Sequence, residues 1–173
     1  MIYVLAYPRF EQSCAEHIAD FRAIHEPQRA KLVPPHITLV FGSAEKHLEA
    51  ISHLVEAVSS QTKSFAVSFD DWAVEFDPFE KKHKMFLLCK KGSDEATSLH
   101  NRLYEGIHRA ELDTAHPFKP HMTIATYNKR AEIEQVDVSF AGELPISAKL
   151  RALELVRVVE GKLKVVRTTP FSQ

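Results

Sequence analysis

At 173 residues, with 45% apolar and 26% charged residues, the chain has the size and make-up of one globular domain with a substantial core. A formal net charge of −1 and a pI near 6.8 exclude a protein that coats long nucleic acid through a dominant basic face, while leaving room for a short anionic ligand. Two cysteines are too few to staple a fold of this size, and Cys14 and Cys89 read as ordinary buried thiols.

The opening Met1–Tyr7 is apolar but short, lacks a basic flank and runs into Pro8-Arg9, so it reads as a buried strand over Ile2–Tyr7 and not as a leader. No run approaches membrane-spanning length, and a cytoplasmic protein is expected. Apolar residues at helical spacing from Glu11 to His25 predict a helix, closed by Pro27. A polar connector leads to Pro34-Pro35 and to a strand, His36–Phe41, whose alternation puts Ile37, Leu39 and Phe41 on one face and His36, Thr38 and Val40 on the other. Ser43 is the expected cap of a helix carrying Leu48, Ile51, Leu54, Val55 and Val58. Phe65–Phe76 is read as a strand bent at Asp70-Asp71, and Asp77-Pro78 as a turn.

The plan then repeats. Met85–Cys89 is a strand, Ser93 opens a helix with Leu99, Leu103 and Ile107, and Pro117 and Pro120 precede a strand over His121–Ala125. The two histidines lie 85 positions apart (121 − 36), about half the chain, and the strand-like stretch Leu150–Val156 follows Phe69–Glu75 by a similar offset. A hairpin from Arg151–Val159 to Lys162–Thr168 turns at Glu160-Gly161. The expectation is an α+β fold: one domain over 1–173 made of two similar lobes, approximately 1–80 and 81–173, with antiparallel sheets lining a central cleft and helices outside.

Pro-His-x-Thr therefore occurs twice, on predicted strands, at equivalent points of a repeat. Random order of this composition would give it about 0.02 times. On a strand, residues i and i+2 share a face, so each motif presents an imidazole beside a hydroxyl. Two such pairs suit a phosphodiester: His36 and His121 can serve as acid and base near neutral pH, and Thr38 and Thr123 can donate to the non-bridging oxygens. Lys119 falls on the face of His121 and is a candidate for added positive charge. Phe41 and Tyr127 are candidates for stacking on a base, although the phase of Phe41 favours the core. The other eight histidines show no ligand spacing such as His-x-His or His-Glu-x-x-His and read as surface or helix-face residues, so no metal site is expected.

Pro35-His36-Ile37-Thr38-Leu39-Val40-Phe41 and Phe118-Lys119-Pro120-His121-Met122-Thr123-Ile124 resemble the paired signatures of the 2H phosphoesterase superfamily, nearest its bacterial 2′-5′ RNA ligase and RNA 2′,3′-cyclic phosphodiesterase branch. The resemblance implies a bilobal fold, no cofactor, and metal-independent opening of 2′,3′-cyclic phosphates of RNA or nucleotides, or cleavage of 2′-5′ linkages. It places the site at His36, Thr38, His121 and Thr123, with His121 as base and His36 as acid. The substrate expected is a small nucleotide or RNA terminus bound by a monomer, with no membrane and no marked protein partner. A cyclic phosphate of ADP-ribose is an alternative substrate, and a catalytically silent module holding a nucleotide or RNA end is an alternative function.

Overall fold

A computed structural model describes residues 1–173. The chain runs β1 (Ile2–Ala6), β2 (Arg9–Phe10), α1 (Gln12–His25), α2 (Pro27–Leu32), β3 (Ile37–Ser43), α3 (Leu48–Ser60), β4 (Phe65–Asp77), β5 (Lys82–Cys89), α4 (Ser93–Leu103), β6 (His121–Tyr127), α5 (Arg130–Ile133), β7 (Ile146–Leu150), β8 (Ala152–Val159) and β9 (Lys162–Pro170). All strand pairings within the two sheets are antiparallel, in the orders β3-β1-β8-β9 and β6-β5-β4-β7-β2. This is the α+β, two-sheet architecture expected from the repeat.

Read from β3 and β6 inward, the two orders match. Each motif strand is an edge; beside it lies the first strand of its own half, β1 or β5; next comes a strand from the other half, β8 or β4. Each repeat thus lays its third strand in the other repeat's sheet. The division of the sheets therefore does not follow residues 1–80 and 81–173. The first helices are exchanged in the same sense: α1 follows β1 but packs on β6, and α4 follows β5 but packs on β3. The main core is shared, with Ile2, Val4, Ile18, Phe69, Met85, Leu87, Leu99, Met122, Leu153 and Leu155 in one continuous apolar body.

Several elements match the sequence periodicity closely. β4 is shifted in register between Phe69 and Asp71, the site of the expected bend, and the final hairpin turns through Glu160 and Gly161 with φ of 52° and 71°, the double left-handed geometry of a type I′ turn. Others differ. Ser43 ends β3 and donates to Glu111 Oε2 at 2.5 Å, so it caps nothing. The connector before Pro34 forms α2, with Pro27 at its first turn. Leu150 and Ala152 belong to different sheets, because the chain changes sheet at Arg151. Helix α4 stops at Leu103, which leaves Ile107 70% exposed.

Candidate active site

His36 sits at the entrance to β3, with Thr38 one residue inside the strand; His121 and Thr123 are the first and third residues of β6. The two edge strands meet across the seam between the sheets. Both rings are oriented in one way. His36 Nδ1 donates to the Pro34 carbonyl at 2.8 Å and His121 Nδ1 to the Lys119 carbonyl at 2.7 Å, in each case the carbonyl two residues earlier. A carbonyl only accepts, so Nδ1 carries the proton and Nε2 is the basic nitrogen, unbonded within the protein. The intervening proline, Pro35 or Pro120, fixes its own φ and holds the preceding residue extended, which keeps that carbonyl beside the ring. This is the structural reason that proline precedes both histidines. Thr38 and Thr123 are half-buried beside them.

Both imidazoles are poised neutral. Burial lowers His36 from 6.5 to about 4, opposed by the bond to Pro34 and reinforced by Arg29 and Arg22. Burial likewise lowers His121, while its bond to Lys119 and the carboxylate of Glu75 favour its cation and Lys84 and Arg29 disfavour it. The cations are themselves held. Arg22 and Glu26 form a buried ion pair at 2.5 Å; Arg29 reaches Glu80 at 3.3 Å; Lys84 reaches Asp77 at 2.5 Å and Glu80 at 2.8 Å.

Register places the neighbours. Leu88, Phe86 and Lys84 of β5 pair with His121, Thr123 and Thr126, and the Phe86 ring lies 4.0 Å from that of His121. On the other sheet Leu5 pairs with Thr38, and Tyr7 meets His36 edge-on at 6.1 Å. Leu5, Val33 and Val156, flanked by Tyr3, Tyr7 and Leu163, make a small apolar cluster on this side, and burial followed by Glu154 pushes the Tyr7 hydroxyl up to about 12. A hollow of about 480 Å³ lined by Asp70, Asp71, Leu88 and Lys90 adjoins the His121 end through Leu88.

The secondary candidates fall differently. The Lys119 side chain is exposed, and it is the backbone carbonyl that engages His121. Phe41 is 46% exposed, not core-facing: register shifts between β1 and β3 bury both Leu39 and Val40, reversing the alternation just before it. It meets Phe118 edge-on at 6.4 Å. Tyr127 spends its hydroxyl on His25 Nδ1 at 2.7 Å. Of the histidines read as surface or helix-face residues, His47, His100 and His108 are buried, and His100 alone of these three lies on an α-helix, α4. Phe86, Tyr7 and Glu75 carry no sequence signal of their own; only the strand pairing brings them to the histidines.

The profile of the 2′-5′ RNA ligase superfamily matches residues 10–162. The chain belongs to this superfamily of 2H phosphoesterases. A protein of Oceanobacillus iheyensis named as a phosphoesterase is 30% identical over 100 residues, covering 56% of this chain; the match spans about half of that relative, 55%. The fold is shared with TT0787 of Thermus thermophilus (TM-score 0.65, 18% identity, 99% and 98% of the two chains) and with E. coli LigT complexed with 3′-AMP (0.61, 18%, 99% and 98%). It is also shared with Usb1 of Kluyveromyces marxianus (0.62, 12%, 98% of each chain). No helix of the chain is long and apolar enough to cross a membrane.

Proposed function

We infer that the chain is a phosphodiesterase that opens 2′,3′-cyclic phosphate ends of RNA or nucleotides, or cleaves 2′-5′ linkages, with His36 and His121 as the proton-transfer pair. The observation that carries this reading is the identical orientation of the two rings. Each Nδ1 is committed to the carbonyl two residues back, leaving two basic Nε2 atoms at equivalent positions of a repeat. A binding module has no use for two such groups.

In the free protein both rings are neutral, so the acid must gain its proton as the anionic substrate arrives. The phosphodiester charge offsets the burial that keeps a proton out. Arg29 disfavours a cation at both rings; Glu75 favours one at His121, where Lys84 opposes it. The resemblance assigns His121 as base toward water and His36 as acid toward the leaving oxygen. His121 Nε2 takes a proton from the attacking water as its oxygen bonds to phosphorus. His36 gives its Nε2 proton to the departing ribose oxygen as that bond breaks, leaving a phosphomonoester and a free hydroxyl. Thr38 and Thr123 donate to the non-bridging oxygens. LigT, which shares the fold, has been captured with 3′-AMP and with NADP+, in keeping with a nucleotide-sized ligand here.

The test is phosphorus NMR of 2′,3′-cyclic nucleotides and of a short RNA with a cyclic end, in chelator, with the intact protein and with His36→Ala and His121→Ala. Ring opening is expected, falling by about 10²- to 10⁴-fold in either variant. No opening by folded protein sinks the RNA-end reading and directs the assay to ADP-ribose cyclic phosphate.

A further inference from the structure

Two helices each link one motif strand to the segment that leads into the other. Helix α1 precedes β3 and packs on β6; α4 precedes β6 and packs on β3. From α1, Arg22 Nη2 donates to the Val33 carbonyl at 3.1 Å, three residues before His36. Its partner Glu26, just past the helix, accepts from the Thr126 hydroxyl on β6 at 3.2 Å. From α4, His100 Nδ1 donates to the Leu39 carbonyl of β3 at 2.8 Å, and its ring lies flat on Phe118, three residues before His121, at 4.0 Å and 3°. One turn on, the Tyr104 hydroxyl accepts the Phe41 N–H at 3.1 Å. Two pairs of the positions bridged are equivalent: Val33 and Phe118 differ by 85 (118 − 33), Phe41 and Thr126 by 85 (126 − 41), the same offset as the two histidines, while Leu39 has no counterpart in the Arg22–Glu26 contacts.

We propose that His100 is a positioning residue for the two-histidine site: through its bond to β3 and its stack on Phe118 it sets the separation and orientation of His36 and His121, as the Arg22–Glu26 pair does at the equivalent end. The proposal rests on the reading of the site given above. His100 touches neither histidine, but it holds β3 at Leu39, next to Thr38, and the segment leading into β6 at Phe118. The Lys119 carbonyl that orients His121 follows directly on Phe118, so a shift of Phe118 turns that carbonyl and the ring with it. His100 is 3% exposed and burial keeps it neutral, so the clamp is a fixed hydrogen bond and a packed ring, not a mobile charge. Displacing reacting groups by about 1 Å costs up to about 10²-fold in rate with little effect on binding.

The experiment separates the two halves of the clamp. His100→Asn keeps an N–H for Leu39 and loses the stack; His100→Phe keeps the ring and loses the N–H. Each is expected to lower kcat about 10- to 100-fold with KM within about threefold. His100→Asn with Phe118→Leu should cost little more than the worse single change. Tyr104→Phe, a gentler change that removes only the acceptor of the Phe41 N–H, should lower kcat a few-fold. In parallel, NMR titration of the His36 and His121 ring carbons should show both midpoints moving in His100→Asn, although neither ring touches residue 100. That measurement needs no turnover, so it decides the clamp even if the intact protein opens none of the substrates and the functional reading fails. Folded variants with kcat within twofold of the parent and unmoved His36 and His121 titrations overturn the proposal.

Discussion

At the scale of single residues, the site is arranged so that its two bases are also liabilities to the fold in acid. His36 titrates at about 4 in the folded chain against 6.5 when free. Above 6.5 it is neutral in both states and costs nothing. Between 6.5 and 4 the unfolded chain takes up a proton that the folded chain refuses, so stability falls as pH falls, by about 3 kcal/mol over that window. Burial lowers His121, His100 and His108 too, which adds in the same direction. Denaturant unfolding followed from pH 7.5 to 4 should therefore lose stability steadily, and His36→Gln should flatten the slope; an unchanged slope in that variant would show that His36 is not the group responsible. The motif residues themselves are legible in the sequence, because Pro-His-x-Thr is local and repeated. Phe86, Tyr7 and Glu75 are not, since nothing near them in sequence marks them and only pairing between distant strands sets them beside the rings. His47, His100 and His108 show a related failure. A histidine among apolar residues looks the same in sequence whether its ring nitrogens meet water or, as for His100 on α4 and His108 in the turn after it, a backbone carbonyl.

Among the elements, those whose limits are set by local chemistry match their sequence signals. The closing hairpin needs only two residues able to take positive φ at Glu160-Gly161, and β4 bends where two aspartates interrupt its apolar run. Phe41 and the Leu150–Val156 stretch depart from the alternation for one reason: alternation counts residues, and a bulge or a change of sheet resets the count without a mark in composition. Gly92 is a local requirement of the same kind. It precedes α4 with φ of 78°, and a Cβ there would lie 2.6 Å from the Ala66 carbonyl and 2.8 Å from Val67. Gly92→Ala is expected to cost about 2 kcal/mol or more, lowering Tm by roughly 4–8 °C. Because α4 carries His100, kcat should fall with it; calorimetry and a rate measured well below Tm check both.

For the whole molecule, the duplication is legible as an offset of 85 residues (121 − 36). The exchange of third strands is not, because sequence spacing is blind to which sheet a strand joins. β4 fills the second half's sheet and β8 the first's. Neither half can complete a sheet alone. Residues 1–80 and 81–173 made separately are expected to show no cooperative melting, while an equimolar mixture regains strand signal by circular dichroism. A sharp thermal transition in either fragment alone would contradict the shared-sheet account.

The chain passes between the two sheets four times along its length, from β1 to β2, to β3, to β4, and finally from β7 to β8. The main apolar core is one body drawn from both sheets. The lobes are laced together, and swinging them apart like jaws would tear open that shared core.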